Sequence, residues 1–129
     1  MKITPFEKHF ENIHNTNKLA KLDDHQNKVQ YFNANKSKIE NIILKPEDKR
    51  EEEARKIIDG NVYLNNYWNI VKIKQEQKEI EEKLKDAELS QDEKRDMQNK
   101  LQELTRKISD NEREIQDKIN KDLAEINAL

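Results

Sequence analysis

Cysteine is absent from this 129-residue chain, glycine occurs once and proline twice. Without cysteine there is no disulfide framework and no thiol chemistry, so composition leaves the redox compartment open. With so little glycine and proline, short strands have few turns to connect them, and β-branched runs between turn residues barely occur. No apolar run approaches the roughly 18–20 residues of a membrane span. The opening MKITPFEKHF lacks the apolar segment of a secretory leader. The expected location is cytoplasmic, with no membrane partner, although leaderless export by a dedicated machine fits the same residues. No glycine-rich loop offers a phosphate cradle, and Ser37, Ser90 and Ser109 lack the strand-turn-helix context of a nucleophile.

The chain is 40% charged and only 33% hydrophobic, with a mean hydropathy of −1.25, which is thin material for a globular core. Ile, Leu and Val nevertheless recur throughout among Lys, Glu, Gln and Asp, the composition of long helices and coiled coils. The 25 basic and 27 acidic residues nearly cancel. Residues 1–71 carry 12 basic and 11 acidic groups and residues 72–129 carry 13 and 16, so neither half is a basic arm. That balance argues against a nucleic-acid partner. Heavy Lys, Asn and Ile usage points weakly to an AT-rich bacterial or phage genome.

Helix punctuation is readable. In TPFE, Thr4 is an N-cap, Pro5 the first helical residue and Glu7 the far side of a capping box. Phe6, Phe10 and Ile13 then share a face. The pattern blurs through NTNK, which favours two helices with a bend near residues 15–24 over one continuous helix to Leu44. LKPED ends this segment, because Pro46 pushes the preceding residue out of helical dihedrals and opens the next helix. In ELSQDEK, Ser90 and Glu93 form a second capping box, and the helix after it is expected to run almost to Leu129.

Antiparallel arms around Ser90 would place Leu84 opposite Met97, Ile80 opposite Leu101, Gln77 opposite Leu104 and Ile73 opposite Ile108. The two numbers of each pair add to 181. The register continues through Ile70 with Asn111, Asn66 with Ile115, Val62 with Ile119 and Ile58 with Leu123. The expected fold is therefore all-α: a coiled-coil-like hairpin over about 47–129, some 60 Å long at ~1.5 Å per residue. N-terminal helices pack against its base. The chain reads as one helical domain, with a segment at 1–45 and a hairpin at 46–129 whose tip lies near Ser90.

GNVYLNNYWNIVKI, residues 60–73, gathers the only Gly, the only Trp and two of the three Tyr. There Ile57, Leu64, Trp68 and Val71 fall nearly opposite the seam residues, since two residues turn a helix by about 200°. Two apolar faces require a second partner, and the N-terminal segment supplies one. The expected base core is Phe6, Phe10, Phe32, Leu64, Trp68 and Val71, with Val29 beside them. Gly60 sits in a D-G pair that also signals a β-hairpin turn. Flanking helical patterns favour a kink or short loop instead.

Candidate chemistry is sparse. Glu11 and His14 have the E-x-x-H spacing of di-iron bundles, but such sites use that motif twice with two further glutamates, and no second copy occurs. His25 suits a partly buried neutral imidazole at a seam. The acidic runs at 51–53 and 81–82 read as solvated helix faces, with Glu79–Lys83 and Glu81–Lys85 as supporting i,i+4 pairs. No cofactor and no catalysis are expected. The leading functional expectation is a helical module that binds another protein, as an adaptor, chaperone, scaffold or phage-type inhibitor. Tyr63, Tyr67 and Lys74, beside the groove between the arms, are the candidate contacts, and the alternative for the two tyrosines is the edge of an internal core. Homodimer formation through helix pairing fits the same seam. The rival class is a nucleic-acid-associated regulator, or an acidic mimic acting on such proteins.

Overall fold

Local chemistry divides the described residues into four α-helices. The computed structural model describes the backbone of residues 5–129 and the side chains of residues 11–129. Helix α1 spans Pro5–Asn41 and passes through a 3-10 turn at Ile42–Leu44; α2 spans Glu47–Ile58, α3 Val62–Lys83 and α4 Gln91–Asn127. No strand occurs among the described residues. None of their helices is long and apolar enough to cross a membrane. Thr4, Phe6 and Phe10 lie outside the residues whose side chains are described.

The expected bend near residues 15–24 is absent, and α1 is one helix. The polar NTNK stretch blurs the hydrophobic pattern because the helix has little to pack against there. It contains neither Gly nor Pro to break the backbone. Pro46 forms the N-cap of α2 rather than its first residue, with Glu47 and Asp48 in the first turn. Those carboxylates complement the positive end of the helix dipole. Ser90 caps α4: its Oγ accepts from the Glu93 N–H at 3.1 Å and donates to the Glu93 carboxylate at 3.1 Å.

The D-G pair ends α2 and corrects the expected first arm. Asp59 adopts the left-handed conformation at φ 44°, and Gly60 follows at φ 77°. The Asp59 N–H bonds the Arg55 carbonyl at 3.1 Å, and the Asn61 N–H bonds that of Ile58 at 2.8 Å. Glycine is favoured where φ is positive because it has no Cβ to clash. Asn61 then caps α3, accepting from the Leu64 N–H at 3.0 Å while its own Nδ2 donates to the Lys28 carbonyl of α1 at 3.0 Å. Residues 47–89 are therefore not one arm. Instead α2 folds back along α3, with Glu51 meeting Trp68 and Lys72, and Arg55 meeting Asn65.

α1 and α3 each touch all three other helices, whereas α2 and α4 have no contact between their described residues. The core lies along the α1–α3 line. Phe32, Ile39 and Ile42 from α1 and the turn after it meet Ala54 and Ile58 of α2, and Ile115 closes the far side from α4. Leu64, Trp68 and Val71 are buried beside Tyr63, Tyr67 and Ile70, so the first three turns of α3 are enclosed on nearly every side. Burial of each large side chain contributes about 1.5–3 kcal/mol. Ion pairs contribute little, because most join neighbouring turns of one helix with both partners exposed.

Along α4 the buried Leu104 and Ile115 and the half-buried Ile108 and Ile119 form one stripe. α3 pairs with it in reverse order: Tyr63 with Asp122, Lys74 with Glu112 and Gln77 with Thr105. The 181 register is close at Gln77 but fails at the base, where Val62 is 42% and Leu123 37% exposed. Tyr63 takes the inward position there. Beyond Val71 on α3 and before Leu104 on α4, no side chain is fully buried.

Candidate functional site

The three candidate contacts part company in the structure. Tyr63 retains 1% of its surface and Tyr67 8%, so their rings are core and not groove-edge contacts for a partner. The physical reason lies on α1 and α4. Phe32 sits edge-on to both rings, at 6.2 Å from Tyr63 and 6.0 Å from Tyr67, and His25 packs edge-on to Tyr63 at 6.2 Å. Edge-to-face pairing of this kind adds to simple burial. Lys36 covers the outside, its Nζ 4.5 Å from the Phe32 centroid and 5.8 Å from that of Tyr67. Lys74 is on the surface and pairs with Glu112 at 3.7 Å.

Each buried phenol reaches a carboxylate on another helix. Tyr63 donates to Asp122 Oδ2 at 2.6 Å and lies 3.5 Å from His25 Nδ1, while Tyr67 donates to Glu40. Burial, then the carboxylate partner, pushes both phenols above the ordinary tyrosine range. The same bond from Tyr63 holds the Asp122 carboxyl below its ordinary value, with Lys118 and His25 adding to the effect against desolvation. Glu51 is lowered chiefly by the bond from Lys72 and next by that from the Trp68 indole N–H. At neutral pH the two phenols keep their protons, and the Asp122 and Glu51 carboxyls stay ionised. The bonds thus tie α3 to α1, α2 and α4.

Glu11 and His14 are both exposed, and no cluster of His, Cys, Asp or Glu among the described residues could hold a metal ion. His25, expected at a seam, is 7% exposed beside Tyr63.

Two surfaces escaped the sequence reading. α1 runs past the end of α4, where Lys18 Nζ donates to the Asn127 carbonyl at 3.1 Å. Before that contact every described side chain from Glu11 to Asn17 is exposed, Ile13 at 45%, and Leu19 just after it is 61% exposed. At the other end, α1 stops at Asn41 while α3 and α4 continue, and Leu44 stands 84% exposed on the corner. The first surface was signalled by the blurred pattern at NTNK. The second had no signal, since it depends on where a remote helix stops.

Comparison of the chain with protein-family models, with curated proteins and with solved structures finds no match.

Proposed function

We propose that this chain is a non-enzymatic helical module that works by presenting helix surface to another protein. The observation that carries the reading is the early part of α1, where every described side chain from Glu11 to Asn17 is exposed, Ile13 among them, and Leu19 is exposed just after Lys18. Apolar side chains on an exposed helix suit recognition by helix packing. The finer architecture belongs to the same proposal: α3 and α4 form a slim antiparallel hairpin, with the remaining helices gathered at its base. Cysteines placed at Ile80 and Leu101 should then close within one chain on oxidation. Dimers linked only between chains, at low protein concentration, would replace the hairpin with intermolecular pairing.

The functional test is capture from an extract of the source organism, comparing the wild type with Ile13→Glu/Leu19→Glu. Both positions are exposed, so helicity should be unchanged by circular dichroism. The expected result is a bound protein that survives nuclease and a rise from about 50 to 200 mM salt, and that the variant loses. Phosphate-driven binding collapses over that range. Loss of the captured material on nuclease or salt treatment would favour the nucleic-acid-associated reading instead.

A further inference from the structure

We draw no further inference here: the strongest candidate, the acidic cleft between α2 and α3 lined by Glu47, Glu51, Glu76 and Glu79 beside Trp68, already holds the Lys72 ammonium on Glu51 and over the Trp68 ring, and nothing in the structure points to a ligand for its remaining carboxylates.

Discussion

Replacing Trp68 by alanine tests the base core most directly. The indole is 1% exposed, and its N–H donates to Glu51 Oε1 at 3.0 Å. Large-to-small changes of this kind cost about 3–5 kcal/mol, the removed apolar surface plus the cavity left behind. The lost hydrogen bond adds little, because the Glu51 side chain is 55% exposed and keeps Lys72 at 3.1 Å. Against a total of about 5–15 kcal/mol, the variant should sit close to unfolding. Its Tm should fall by about 10–20 °C, read by circular dichroism because the change removes the only tryptophan. Trp68→Phe, which keeps part of the ring but loses the N–H, should cost about 1–2 kcal/mol. A loss below about 1 kcal/mol for Trp68→Ala, the range of ordinary surface changes, would refute enclosure of the ring between α2 and α3.

Tyr63 and Tyr67 have folded-state pKa values raised above the ordinary phenol value of 10.0, so their stabilisation is present below about pH 10 and lost as pH rises further. The difference in phenolate absorbance between the wild type and Tyr63→Phe/Tyr67→Phe should appear only as helicity is lost; phenolate signal at pH 10 with intact helicity would contradict this burial. Asp122 shifts the other way, so the advantage of wild type over Tyr63→Phe should be largest above about pH 4 and shrink as pH falls through its lowered value. At the α2–α3 turn, a Cβ on Gly60 would meet nothing within 4 Å, so Gly60→Ala should cost only the backbone strain of positive φ, about 1–2 kcal/mol in urea unfolding. Asp59→Gly, at φ 44°, should be neutral or stabilise by up to about 1 kcal/mol.

Helix existence and the helix boundaries at Pro46 and Ser90 were readable because they depend on a few neighbouring residues: a ring that fixes φ, a hydroxyl that reaches an N–H three residues on. The D-G pair read only as a kink or short loop within one arm, because tolerance of positive φ does not say whether the chain then continues or folds back. The stripe along α4 was readable as well, since that helix packs on one side and its sequence repeats the period of that side. α3 was harder. Its first turns meet α1, α2 and α4, so apolar residues occur all round, and periodicity could not tell whether Val62 or Tyr63 faces inward. A tyrosine reads equally as a wet groove edge or a buried ring with a satisfied hydroxyl. Only the placement of Glu40 on α1 and Asp122 on α4 decided between them, because burying a phenol is favourable when its hydroxyl finds a partner there and costly when it does not. The open ends of α1 and of the α3–α4 pair belong to the same class. They arise from where helices distant in sequence stop relative to one another, a quantity set by packing and absent from any local pattern.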